Sequence, residues 1–275
     1  MSRGLSGHLE LICAPDGRGV STLRHQSFRA PMHISKPHHD AGMLVVNVVN
    51  PTAGFLDGDR VECRIEVEAG GRLVLTTPSA SRAHRMRDGF AELRQELRVA
   101  NGGFLEFWPE LFIPQGGACF RQKTMLEVEE GGELLFFESL APGRVAAGES
   151  FAFRELEWET DVRLAGSSIA RERYRIRPGE ESVRTLRRVF PDAYYASGFV
   201  VSGKLTDKHP CWRRLHDLQT QEAWIGCGRL ASGGWVIKML AAGSVELRRM
   251  LQAVRVEIYA ALGQVMPSVR RRGAG

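Results

Sequence analysis

Apolar and polar residues alternate along most of the first two-thirds of the chain. Val61, Cys63, Ile65 and Val67 alternate with Glu62, Arg64 and Glu66, which is the pattern of a half-buried strand. Leu93, Leu97 and Val99 share one strand face, and so do Phe120, Thr124, Leu126 and Val128. Leu156, Trp158, Thr160 and Val162 repeat the pattern later. Shorter and more continuously apolar strands run from Leu73 to Thr77, over Leu105 and Phe107, and from Leu134 to Phe137.

Three turns join these segments and resemble one another: Val67-Glu-Ala-Gly-Gly-Arg-Leu73, Val99-Ala-Asn-Gly-Gly-Phe-Leu105 and Val128-Glu-Glu-Gly-Gly-Glu-Leu134. A strand-turn-strand unit repeating at about 30 residues cannot bury its own apolar face, so the units must stack. The spacing therefore predicts a mainly β, layered, solenoid-like stack of strands, with a plain β-sandwich as the alternative.

The last third changes character. Residues 223–231 and 234–241 read as a hairpin around Ser232-Gly233-Gly234. Leu247, Leu251, Val254, Ile258 and Leu262 then fall at helical spacing, with Ser244 placed to cap the helix and Gly263 to end it. A second, shorter helix is expected from Pro210 towards Gln221. The expected organisation is a single domain: a β body over about 8–242, a helix over about 245–262 and a flexible tail over 267–275.

The chain has 275 residues, of which 43% are hydrophobic and 25% charged, as in an ordinary soluble globular protein. No apolar run is long enough for a membrane-spanning helix, and no secretory leader opens the chain, so a cytoplasmic protein is expected. Five scattered cysteines without a C-x-x-C pair point to reduced thiols rather than a disulfide framework. The formal charge of +5 comes largely from arginine: Arg171, Arg173, Arg175 and Arg177 alternate, Arg187 and Arg188 adjoin, and Arg270 to Arg272 come near the end. No nucleic-acid motif accompanies them, and a solvated strand face explains the alternation.

No nucleophile elbow, phosphate-binding loop, dinucleotide fingerprint or H-E-x-x-H motif occurs, which lowers the expectation of an enzyme. His33, His38, His39 and Asp40 offer imidazole and carboxylate in one stretch, suited to a metal entry point or simply to an exposed polar turn after Pro37. Asn50, Pro51, Gly54 and Gly58 make a turn-rich link that ends in Asp59 and feeds the strand carrying Glu62.

That link, Asn50-Pro51-Thr52-Ala53-Gly54-Phe55-Leu56-Asp57-Gly58-Asp59, resembles the NP-x-G-G-x-x-x-G-D signature of the UreD (UreH) family of urease accessory proteins. Thr52 and Ala53 depart from it, standing where the family usually has Pro and Gly. Further matches follow in order: the Leu-Thr-Thr segment at Leu75 to Thr77 with small residues after it, Leu105-Glu106 through Pro114, Glu138 through Arg144 with Gly148-Glu149, and Ile169 to Ile176. They span nearly the whole chain, from about 8 to 263.

The resemblance implies a non-catalytic scaffold that works with the accessory proteins UreF and UreG, docks on apo-urease and passes nickel through an internal passage. No tightly bound cofactor is implied, only transient Ni²⁺. Asp59, Glu62, Thr77, Ser79, Glu138 and Glu172 are the candidate conduit residues, because carboxylates and hydroxyls exchange divalent ions more readily than thiolates. Glu172, set among arginines, could equally pair with them. A β-solenoid carbohydrate-active enzyme is the competing reading, since paired carboxylates on stacked strands can act as acid and base.

Overall fold

The structure, a computed structural model, describes residues 4–52 and 54–269. The alternating segments form strands, and the main strands of the repeat, over residues 60–164, pass between two sheets. The chain opens with β1 (Ser6–Pro15), β2 (Ser21–Arg29), the short β3 (His33–Ile34) and β4 (His38–Asp40), and β5 (Met43–Val49). The repeat then runs through β6 (Arg60–Val67), β7 (Arg72–Thr76), β8 (Ser81–Ala83), β9 (Ala91–Val99), β10 (Phe104–Trp108), β11 (Phe112–Pro114), β12 (Cys119–Val128) and β13 (Glu133–Leu140). Next come β14 (Glu155–Leu164), β15 (Ser167–Ile176), α1 (Glu181–Val189), β16 (Tyr194–Val201) and α2 (Cys211–His216). The hairpin β17 (Ala223–Arg229) and β18 (Trp235–Ala241) precedes α3 (Ser244–Leu262).

Sheet one has the order β15-β14-β12-β9-β6-β1-β2, and sheet two the order β17-β18-β16-β13-β10-β7-β5-β3. Within sheet one, β6, β9, β12 and β14 are parallel neighbours without a register slip. Within sheet two, β5, β7, β10 and β13 are parallel in the same way. This is a β-solenoid of about four turns, as the repeat predicts. Antiparallel strands close it: β15 on β14, and β16, β18 and β17 beyond β13.

The glycine pairs are corners of the coil, not hairpins. The first glycine of each pair, Gly70, Gly102 or Gly131, sits at φ of 76°, 72° or 82°, where other residues are strained. The second has no room for a side chain. A Cβ on Gly103 would lie 3.0 Å from the Ala100 carbonyl oxygen and 3.1 Å from that of Glu68 in the coil before.

Two cores result. One fills the space between the sheets and includes Val61, Leu97, Leu105, Leu126, Phe136 and Leu156. The other lies between sheet two and the helices, with Phe104, Leu135, Val254 and Ile258. The Glu106 carboxylate, wholly buried, crosses this second core. It accepts from Arg255 Nε (2.5 Å), Arg255 Nη2 (2.7 Å) and Tyr259 OH (2.7 Å), so α3 is tied to β10 by a forked ion pair.

Several expectations need correction. α1 interrupts the β body; it buries only Val183, too little apolar signal to stand out among its charged residues. α2 is shorter than expected and ends at His216. Gly243, not Ser244, occupies the N-cap of α3, without a side-chain cap, whereas Gly263 ends the helix in the left-handed conformation as expected. The tail is held through its described part: Pro267 O accepts from Arg255 Nη1 (2.9 Å), and Ser268 N donates to Asp40 Oδ2 (2.7 Å). Ala53 and Arg270 to Arg272 lie outside the described residues.

Removing one partner of the buried pair strands the other charge. Glu106→Leu is expected to cost about 3–5 kcal/mol in urea unfolding, and Glu106→Leu with Arg255→Met to recover most of that loss. Equal losses in the two variants would show that packing, not the uncompensated charge, dominates.

Candidate functional site

Parallel strands in register stack their inward side chains into rows. One row on sheet one is Cys63, Gln95, Thr124, Thr160 and Glu172. On sheet two, Glu138, Ser197 and Lys238 form a second row. A polar layer therefore crosses an otherwise apolar interior.

Glu138 is carried by β13, on the face that also holds Leu134, Phe136 and Leu140. Its Oε1 accepts from Nε2 of Gln95 (3.3 Å) and from Nε2 of Gln122, and its Oε2 accepts from the Trp158 indole Nε1 (2.9 Å). Gln95 Nε2 also reaches Thr124 Oγ1 at 3.0 Å. Each of these donors is neutral. Burial pushes the Glu138 carboxyl up to about 7, against the three hydrogen bonds, which favour the charged form.

Glu172 is placed differently. It accepts from Tyr195 OH (3.1 Å) and Ser197 Oγ (3.0 Å) and is paired with the ammonium of Lys238. Lys238 Nζ also lies 2.7 Å from Ser197 Oγ, and burial lowers its pKa against the pull of Glu172. The alternative that Glu172 pairs with its neighbouring arginines is thereby corrected. Those arginines turn the other way: Arg171 and Arg173 on β15 reach Asp161 (2.7 Å) and Glu157 (2.8 Å), and Arg175 on β15 and Arg177 just after it both reach Glu155 (2.8 and 2.7 Å).

A cavity of about 100 Å³ lies between the sheets. Half-buried Asn50, Ser81 and Glu110 line it together with Thr77, Cys63, Gln95 and Glu138. A second cavity of about 340 Å³ sits beneath α1 and includes Glu172, Tyr174 and Tyr195. Trp158 on β14 stacks on Tyr174, two residues along β15 from Glu172, with ring centroids 6.1 Å apart. Burial pushes the Cys63 thiol up to about 12, so the first cavity presents a neutral thiol and no thiolate.

The remaining sequence candidates scatter. Asp59, 1% exposed, is committed to the loop: Oδ1 accepts from Leu5 N and Oδ2 from Leu56 N, both at 2.8 Å. Gly54 and Gly58 have φ of 146° and 85°, and a Cβ on Gly54 would meet the Arg82 carbonyl oxygen at 2.5 Å. The link thus crosses from sheet two to sheet one with Phe55 driven into the inner core, 5.0 Å from the Phe120 ring, while Pro51 stays exposed. Glu62 is exposed on the outer face of β6, and Ser79 is exposed before β8. Thr77 Oγ1 accepts from Glu110 N at 2.9 Å. His38 and His39 lie in β4 rather than a turn, and as neighbours in a strand they face opposite ways. His39 Nε2 lies 2.7 Å from the Ser21 carbonyl oxygen, and His33 packs on Phe28. Among the described residues no group of three or more His, Cys, Asp or Glu side chains is arranged to hold a metal.

Gln95, Gln122 and Lys238 escaped the sequence reading. The signal was present for the two glutamines, each of which occupies an inward position of a strand whose other inward residues are mostly apolar.

A family model described as UreD urease accessory protein matches residues 5–273. The chain belongs to the UreD family. It is 41% identical to the urease accessory protein UreD of Opitutus terrae over 96% of this chain and 97% of that protein. It is also 31% identical to that of Deinococcus radiodurans over 96% of this chain and 95% of its relative. Membership places the chain's role in urease maturation, and the polar interior is the feature that a maturation role has to explain.

A carboxyl whose folded pKa is raised costs nothing while protonated in both states. The cost develops as pH climbs from 4.5, its ordinary value, to about 7 and is complete above that. Wild type is therefore expected to lose more thermal stability than Glu138→Gln as pH rises through this window. Parallel curves of melting temperature against pH would overturn the assignment.

Proposed function

We propose that this chain conducts nickel into apo-urease, acting with UreF and UreG as a scaffold rather than as a catalyst. The observation that carries the reading is the half-buried carboxylate of Glu138, whose hydrogen-bond donors are all neutral and which stands at the wall of a cavity between two sheets. Burying an ionisable group among apolar residues is unfavourable unless a charge is brought to it or a proton stays on it. A divalent cation entering the cavity supplies that charge.

The chemistry suits transit rather than storage. Oxygen ligands hold a dication with easy exchange, and the sulfurs lining the cavity are the protonated thiol of Cys63 and the uncharged thioether of Met32. Glu172 plays a different part from Glu138. Its charge is already balanced by Lys238, so it sets the local field while Glu138 receives the ion. The carbohydrate-enzyme reading finds less support, because the two carboxylates line separate cavities, Glu138 between the sheets and Glu172 beneath α1, rather than facing each other across one groove.

In a reconstituted activation with apo-urease, UreF, UreG and Ni²⁺, Glu138→Gln is expected to lower the nickel content of urease several-fold while the complex still assembles. Glu172→Gln is expected to have the smaller effect. Full nickel loading by the Glu138→Gln protein would overturn the proposal, as would a loss that merely tracks failed assembly.

A further inference from the structure

A sheet that ends in an open strand invites another strand, and folded proteins usually blunt such ends. Three of the four ends here are blunted. β15 carries Arg171, Arg173 and Arg175 at its alternate outward positions. β2 carries Arg24, His25 and Arg29, and its pairing with β1 is broken by a register shift. The far end of sheet two finishes in β3, only two residues long.

The fourth end, β17, has none of these devices. It is seven residues long, reads Ala-Trp-Ile-Gly-Cys-Gly-Arg, and has no charge before its last residue, no proline and no register shift against β18. Among the described residues, the backbone from Trp224 to Arg229 hydrogen-bonds only to β18. Trp224 is 43% exposed, although its ring also meets Phe190 edge-on at 4.9 Å. A Cβ added to Gly226 would meet nothing within 4 Å.

We propose that β17 pairs antiparallel with β17 of a second copy of this chain, joining the two second sheets into one. The sequence of the strand is self-complementary in that arrangement. Trp224, Gly226 and Gly228 share one face. A two-fold axis through Gly226 sets each Trp224 opposite Gly228 of the other copy, so a large ring lies over a position with no side chain. On the other face Ile225 meets the other copy's Cys227, again apolar against apolar. The contact is isologous and closes on itself, and because the other sheet ends are blunted it does not propagate into a fibre. Two seven-residue strands make a small interface, so the dimer is weak and dissociates on dilution.

Sedimentation velocity of the full chain, from roughly 1 to 100 µM, is expected to show a monomer–dimer equilibrium. Gly226→Lys places a charge on the edge in open space and is expected to abolish the dimer with an unchanged melting temperature. Gly226→Cys in a Cys227→Ser background is expected to give a disulfide-linked dimer on mild oxidation. A monomer at every concentration, a dimer that survives Gly226→Lys, or oxidation that yields no cross-link at position 226 would each overturn the proposal.

Discussion

The parallel, unslipped pairing of β6, β9, β12 and β14 is the constraint on which the rest of the molecule depends. Strand side chains alternate faces with a period of two, so a slip of one residue would exchange the inside for the outside. The Gly-Gly corners hold the register. Each corner bonds back on itself, as Gly103 N does to Ala100 O at 2.9 Å, and on to the coil before, as Phe104 N does to Gly71 O at 2.9 Å. With the register fixed, a polar residue at one inward position of several strands becomes a continuous row.

The interior holds carboxylates under contrasting conditions. Glu106 is met by a guanidinium on both oxygens and by a tyrosine hydroxyl, and it fastens α3 to sheet two. Glu138 is met by two amides and an indole, which solvate a carboxylate without neutralising it. The first arrangement is structural and closed. The second leaves a site whose charge state follows its surroundings, which is the property expected of a station that a cation enters and leaves. Glu172 stands between the two cases, neutralised by Lys238 yet close enough to raise the Glu138 carboxyl further.

The outer face of sheet one shows where the arginine excess goes. Arg171, Arg173, Arg175 and Arg177 reach across to acids on β14, so alternation along one strand becomes a ladder of cross-strand ion pairs. Exposed pairs of this kind contribute little stability each. Their positive ends also keep the β15 edge from accepting another strand.

By itself the sequence determined the local periodicities, the repeated glycine corners, the amphipathic α3 and, through the ordered motifs, the family. Those features are local, because strand alternation and turn geometry depend on neighbours within a few residues. The sequence also held the trace of the interior polar layer, in Gln95 and Gln122 on otherwise largely apolar strand faces. Which carboxylates face inward was decided only by tertiary structure. Asp59 and Ser79 look as suitable as Glu138 when read along the chain, yet one clamps a loop and the other meets solvent, whereas strand alternation alone already turns Glu62 outward. Glu172 sits between arginines in sequence but opposite Lys238 in space, 66 positions away. A strand's face is set by what stacks on it, and that partner comes from a distant part of the chain.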